Sequence, residues 1–394
     1  MLESAMMFCF PWDFQDEGLD DLVRRARDLG LTHLAVATSY HAGYFFYAHN
    51  PKRRVHLLED GVVYFHPDES CYAEGPIRPK IAEMSRQRDW IRDICDAAIG
   101  AGLKMVSWTV LLHNTRLGLL HPEATIANAF GDRHPHALSP AHPASIALAQ
   151  GLVRDLASHY PFESLLLEAP NYRNRAHGGT WVSGHHHERC GTHLRPLEMS
   201  LLDLSFNDAD VQQAEASGVD VQSLRSAIQS HLLRYFEAAP DVPVDLPGTI
   251  EQFQERHPAL TELEAHYARA EKALLEALHG EAHSHGVTLI GSAKPAIDIV
   301  MAGAYGASAQ RVAEVTASAR AALQPHQKLM TALRMGFTSP GMGDPITTEQ
   351  KMIDASRAVA ENGADMIGFY NYAEAPPRCV QWIGPALRSG ILEA

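Results

Sequence analysis

The chain has 394 residues, 46% of them hydrophobic and 20% charged, with a formal net charge of −14. That composition allows a large packed core and excludes a globally disordered chain. The acidic balance argues against nucleic-acid phosphates or an anionic membrane surface as the main partner. The five cysteines, Cys9, Cys71, Cys95, Cys190 and Cys379, are odd in number and show no CxxC pairing, so a disulfide framework is not expected. No basic apolar leader opens the chain and no run of about 18 apolar residues occurs, which predicts a cytoplasmic protein without a membrane span.

Strand and helix signals alternate along the chain. Residues 5–10 read as a first strand, 19–29 as a helix ended by Gly30, and 33–37 as a second strand. Ile81, Met84, Ile91, Ile94 and Ala98 lie on one helical face ended by Gly102, ahead of a third strand at 104–111. Ile146, Ala149, Val153, Leu156 and Tyr160 mark the next helix, and 165–168 form a fourth strand. A long region rich in Ala, Leu, Gln and Glu, about 208–280, reads as a helical insertion. Strand-like runs resume at 287–290, 297–301, 329–333 and 366–370, and helical stripes separate the last three.

Eight strand candidates alternating with helices predict an α/β protein of the (β/α)8 barrel type, a single unit over residues 1–394 with the insertion after strand four. One joint conflicts with that reading. Runs 287–290 and 297–301 stand only a few residues apart, whereas parallel strands normally need a crossover of a dozen or more. Either the fifth helix is missing or one of the two strands is misread. The segments after strands two, three and four are long, and in a barrel such loops build the face that carries chemistry.

Candidate functional residues fall at those strand ends. The stretch SLLLEAPNYRNRAHGGTWVSGHHHE, 164–188, starts as a buried strand, delivers Glu168 at its end, and opens into a loop with Asn171, Tyr172, His185, His187 and Glu188. A carboxyl beside an apolar strand is partly desolvated, which suits a general acid. Strand two ends in Tyr40 and His41, within a loop rich in aromatic rings (Tyr44, Phe45, Phe46, Tyr47, Tyr64, Phe65, Tyr72) that either stack on a ligand or pack the loop. Strand three ends in His113 and Asn114, a pair able to grip a substrate hydroxyl. The late strands contribute Tyr305, Arg334, Tyr370 and Asn371 as candidate binders. Asp298 precedes most of its strand's apolar residues and reads as structural. The HHHE run admits a metal reading, with His185, His187 and Glu188 around a divalent ion, and a sugar-binding reading that needs no cofactor. No GxGxxG, Walker or GxSxG pattern occurs.

Taken in order, the strand-end YH, LLHNTRLGLLHPE, NAFGD, LSPAHP, LLLEAPNY, HHHE and GADMIGFYNYAE resemble a bacterial (β/α)8 barrel family similar in layout to the glycoside hydrolase barrels. The resemblance implies a barrel enzyme acting on a small-molecule carbohydrate, with Glu168 matching the acid/base at the end of strand four. Two departures stand out: Leu167 occupies the place before that Glu where such enzymes usually carry Asn, and strand seven, TALRMGF, ends in Arg334 without a nucleophilic carboxylate. The partner carboxylate is then expected from Glu188 or Asp13, with Glu374 after strand eight as a further option. Two rivals remain open: a metal-dependent lyase or isomerase using His185, His187 and Glu188, and a sugar-binding barrel that has lost catalysis. A homo-oligomer is compatible with the sequence.

Overall fold

A computed structural model describes residues 1–172, 194–238, 245–305, 308–336 and 346–392. Its centre is a closed barrel of eight parallel strands: β1 (Ser4–Cys9), β2 (His33–Tyr40), β3 (Lys104–Val110), β4 (Ser164–Glu168), β5 (Thr288–Gly291), β6 (Ile299–Ala304), β7 (Lys328–Arg334) and β8 (Met366–Tyr370). Closure is direct, since β1 pairs with β2 through Met6↔His33 and with β8 through Ser4↔Met366. Every residue of β1 and β2 is buried. Both faces of these strands are covered, one by the barrel interior and one by helices, so they read in sequence as apolar runs without a two-residue alternation. The expected (β/α)8 architecture is therefore the observed one.

The conflicting joint resolves through register. Both β5 and β6 exist and no helix lies between them, but they do not start at the same level. Ile299, the first residue of β6, pairs with Ile290, near the end of β5. The chain therefore need not return the length of a strand, and the residues between suffice. Asp298 lies just before β6 rather than within it. Its backbone N–H donates to Leu289 O at 3.1 Å and its carboxylate accepts the Leu289 N–H at 2.7 Å. The Gln327 amide donates to the carbonyls of Lys294 and Ile297 at 2.8 and 2.7 Å and holds the connection down.

The loops after β2 and β3 carry small antiparallel pairs, Tyr44–Phe46 with Val55–Leu57 and Thr125–Ala127 with Arg133–Leu138. The outer layer includes α1 (Pro11–Glu17), α2 (Leu19–Asp28), α3 (Trp90–Gly100), α4 (Thr115–Leu120) and α5 (Pro143–His159). The helical segment after β4 begins earlier than the composition suggested, with α6 (Pro196–Asp203), α7 (Asp208–Ala216), α8 (Val221–Ala238), α9 (Ile250–Arg256) and the 26-residue α10 (Ala259–Ser284). Leu201, Phe206, Leu224, Ile228, Phe253 and Leu263 form their own apolar cluster. The start of α10 packs in that cluster, while Leu274, Leu275 and Leu278 further along it join the barrel core. α11 (Ala309–Ala321), α12 (Glu349–Glu361), α13 (Pro377–Gln381) and α14 (Ile383–Arg388) complete the layer. Among the described residues, no helix is long and apolar enough to cross a membrane.

Candidate active site

The C-terminal mouth of the barrel holds a cup of aromatic rings with a carboxylate in its wall. Phe8 and Phe10 from the first strand and its exit, Tyr40 from β2, Trp108 from β3 and Tyr370 from β8 meet at ring-centroid distances of 5.0–5.8 Å. The strand ends converge because the barrel brings together residues up to 362 positions apart in the chain, Phe8 and Tyr370. A β-bulge in β2 sits at Thr38, between the pairs Ala37↔Trp108 and Ser39↔Thr109. Bulges next to sites re-aim the strand end that follows, here Tyr40 and His41. Buried hydroxyls of Thr38, Ser107 and Thr109 bond one another at 2.6–2.9 Å and satisfy this irregular stretch.

Glu168 ends β4 with its side chain 29% exposed. The Trp108 indole N–H donates to its Oε2 at 2.8 Å, and the His41 Nε2 stands 3.9 Å from its Oε1. One oxygen is thus fixed by an indole, and the other lies nearer His41. Ala169, immediately after, adopts a left-handed backbone with φ 56°, which turns the chain sharply away from the strand. Three phenols share the neighbourhood. Burial, reinforced by the Glu168 charge, pushes the Tyr305 hydroxyl up to about 12. Burial, with the charges of Glu168 and Glu374 adding to it, raises Tyr40 and Tyr370 as well. All three are neutral hydroxyl donors at ordinary pH.

Glu374 is the second carboxylate of this neighbourhood. Its charge acts on Tyr40 and Tyr370, the same rings that feel Glu168. The Arg334 guanidinium, at the end of β7, donates to its Oε2 at 2.7 Å, and the Asn371 side-chain oxygen accepts its backbone N–H at 3.0 Å. Burial raises the Glu374 carboxyl above the usual carboxylate range, with Arg334 opposing the rise. Arg334 and Asn371, expected as substrate binders, thus both contact Glu374. Glu374 itself ranked behind Glu188 and Asp13 in the sequence because no strand-seven pattern pointed to it. The signal was its place after the FYNY run of β8.

On the other side of Glu168 runs a row of imidazoles. His41 stacks on His113 with centroids 4.1 Å apart, His113 meets His136 edge-on at 6.0 Å, and His136 stacks on His134 at 5.9 Å. His134 and His136 escaped the sequence reading, although their spacing of two within a strand put them on one face. Asn114 takes a different part from the one expected of it. Its Oδ1 accepts the Leu117 N–H at 2.9 Å and caps α4.

Other expected site residues are committed elsewhere. The Asp13 carboxylate, in the first turn of α1, accepts the N-cap Phe10 N–H at 2.8 Å and is buried. Burial, with Glu17 beside it, raises Asp13 to about 8. Its charge acts on Cys9, Tyr47, His49 and Tyr372 rather than on the phenols around Glu168. Of these, His49 and Tyr372 line a separate cavity of about 260 Å³ together with Glu17 and Arg25. The Tyr172 hydroxyl bonds the buried Asp210, its ring packs on Tyr267 at 4.5 Å, and its N–H donates to Glu271. Tyr172 therefore anchors the helical segment. Asn171 is exposed. Of the loop aromatics, Tyr47, Tyr64, Phe65 and Tyr72 are buried packing residues, whereas Tyr44 and Phe46 are exposed. His185, His187 and Glu188, including their metal-ligand reading, lie outside the described residues.

The arrangement supplies a partly exposed carboxylate, a second, partly buried carboxyl with its own cation, hydroxyl and imidazole groups for polar contacts, and partly exposed rings in Tyr305 and Tyr370.

Structure comparison places the fold. An α-L-fucosidase isoenzyme 2 from Paenibacillus thiaminolyticus matches with TM-score 0.59 at 11% identity, covering 98% of this chain and 49% of its own. A β-galactosidase from the haloarchaeon Halorubrum lacusprofundi matches with TM-score 0.56 at 12% identity, over 98% and 57% of the two chains. One from the psychrophilic Marinomonas ef1 gives TM-score 0.54 at 11% identity, over 98% and 59%. The chain thus spans about half to three-fifths of the length of these proteins. No protein-family model matches the chain, and no curated protein does.

Proposed function

We propose that the chain is a glycoside-hydrolase-like enzyme that cleaves a carbohydrate or glycoside, with Glu168 as general acid/base. The observation that carries this reading is the setting of Glu168: the end of β4 at the barrel mouth, one oxygen held by Trp108, beside three protonated phenols and within the same ring cluster as a second, partly buried carboxyl, Glu374. The barrel fold shared with a fucosidase and with β-galactosidases supports a sugar substrate.

Glycosidic cleavage uses two carboxyl groups, one to protonate the departing oxygen and one to attack or to activate water. Glu168, partly exposed at the end of β4 with only one oxygen held by Trp108, fits the first task. Glu374 fits the second: Arg334 supplies the positive charge that lets a buried carboxyl ionise. Glu188 is the competing candidate for that task. Tyr40, Tyr305, Tyr370, His41, His113 and Asn371 surround these acids, and we assign them to holding sugar hydroxyls and the ring face.

The direct test is a panel of nitrophenyl glycosides, beginning with α-L-fucosides and β-D-galactosides, incubated with the purified chain. Release of nitrophenol from at least one sugar is expected. Measurable sugar binding with no turnover of any member would replace this reading with that of a non-catalytic sugar-binding barrel.

A further inference from the structure

At the opposite end of the barrel, where β5 passes to β6 without a helix, three side chains converge from two elements. His279 and His283 are four residues apart near the C-terminal end of α10 and so lie on one face of the helix. Both turn their Nε2 atoms toward the carboxylate of Asp298, which stands just before β6. His283 Nε2 lies 3.1 Å from each Asp298 oxygen and His279 Nε2 lies 3.5 Å from Oδ1. Candidate ligand atoms of the three residues all fall within 4.8 Å of one another.

We propose that His279, His283 and Asp298 form a binding site for one divalent ion of the zinc class, clipping α10 to the start of β6. Two ligand atoms at about 2.0–2.1 Å from zinc and at a tetrahedral angle stand roughly 3.3–3.4 Å apart, and the observed nitrogen–oxygen separations of 3.1 and 3.5 Å lie on either side of that value. The donor set, two imidazoles and a carboxylate, suits zinc and its neighbours and is poorly matched to calcium or magnesium, which prefer oxygen. The carboxylate is also held from outside the ligand set: Leu289 N–H donates to Oδ2 at 2.7 Å, and Oδ1 lies within 3.5 Å of both Nε2 atoms. The imidazole centroids are only 3.8 Å apart. One bound cation would take both rings side by side through their Nε2 atoms. The side chains of His279 and His283 are 33% and 42% exposed, so the ion enters from solvent and a water fills the fourth position. The other His/Cys/acid group among the described residues, Cys71, Asp155 and His159, lacks this character. Its Asp155 already uses Oδ2 to accept from both the Tyr72 hydroxyl and the Asp68 N–H, and it offers one imidazole where this site has two.

The site sits where the barrel has no helix between consecutive strands, so an ion there would tie α10 directly to the start of β6, past the intervening β5. The test is zinc titration of the full chain after chelator treatment, followed by calorimetry and by the thermal unfolding midpoint. Wild type is expected to bind one more equivalent than the His279→Ala/His283→Ala variant, and zinc is expected to raise the midpoint of wild type by more than that of the variant. The 185–187 histidine run stays intact in every variant, so any zinc it takes persists as the remaining equivalent. Asp298→Asn keeps an oxygen for the Leu289 N–H but loses the anionic ligand, and should weaken binding at least tenfold. Equal stoichiometry and affinity in wild type and the double-His variant would overturn the proposal, as would the absence of zinc binding by folded wild type.

Discussion

At the scale of single residues, the contest is between burial and a nearby charge. Glu374 shows both: burial lifts its carboxyl, and Arg334 at 2.7 Å pulls it down. Arg334→Met removes the opposing charge and leaves burial in command. If Glu374 works ionised, the acid limb of the pH–rate profile should then move to higher pH, with rate recovering on the alkaline side. A pH-independent fall in rate would mean that Arg334 only supports structure. Asp13 offers a stability test. Its carboxyl titrates near 8 in the folded chain, against about 4 unfolded. Between those values the unfolded chain has released the proton that the folded one retains, so Asp13 costs stability as pH rises from about 4 to 8. Asp13→Asn keeps an oxygen for the Phe10 N–H and removes the titration. Its unfolding free energy relative to wild type should therefore climb from pH 5 to 8, by up to about 1.4 kcal/mol per pH unit. A difference independent of pH in urea melts would contradict this. Neither balance was legible in the sequence. Asp13 and Glu374 both looked like carboxylates near a strand end, and only the partners separate a helix cap from a candidate acid.

At the scale of elements, strands were legible and their neighbours were not. Residues 366–370 were read as the last strand and form it, because a strand buried on both faces shows as an unbroken apolar run. The joint before β6 looked impossible because the crossover rule assumes strands starting level, and stagger is a property of pairing that no local pattern carries. Asn114 was read as a ligand because its strand ends there, but the same position is also the start of α4, and the cap claims its side chain. The packing of α4 rests on a glycine. A Cβ on Gly118 would lie 1.8 Å from the Pro135 carbonyl oxygen, in the strand that carries His134 and His136. Gly118→Ala must push helix and strand apart. We expect a loss of about 1–3 kcal/mol in denaturant unfolding, typical of overpacking. An unchanged midpoint would show that the two elements are free to shift.

At the scale of the whole molecule, two apolar clusters share one long helix. α10 begins in the helical layer with Leu260 and Leu263 and continues on the barrel with Leu274, Leu275 and Leu278. The sequence showed the long helical region from its composition, and barrel closure from the alternation of elements. It could not show the aromatic cup, since Phe8, Tyr40, Trp108 and Tyr370 meet only once eight strands have closed. The cup is what turns Glu168 from one acid among many into the candidate proton donor. That assignment is the central claim, and one comparison tests it: turnover of a responsive glycoside by wild type and by Glu168→Gln, with unfolding of both followed in parallel. Gln keeps an oxygen for the Trp108 indole N–H and removes the exchangeable proton. The expected result is a fall in kcat of at least about 10²–10⁴-fold, the range for losing a general acid, with the unfolding midpoint essentially unchanged. Wild-type turnover by the folded Glu168→Gln variant would contradict the assignment.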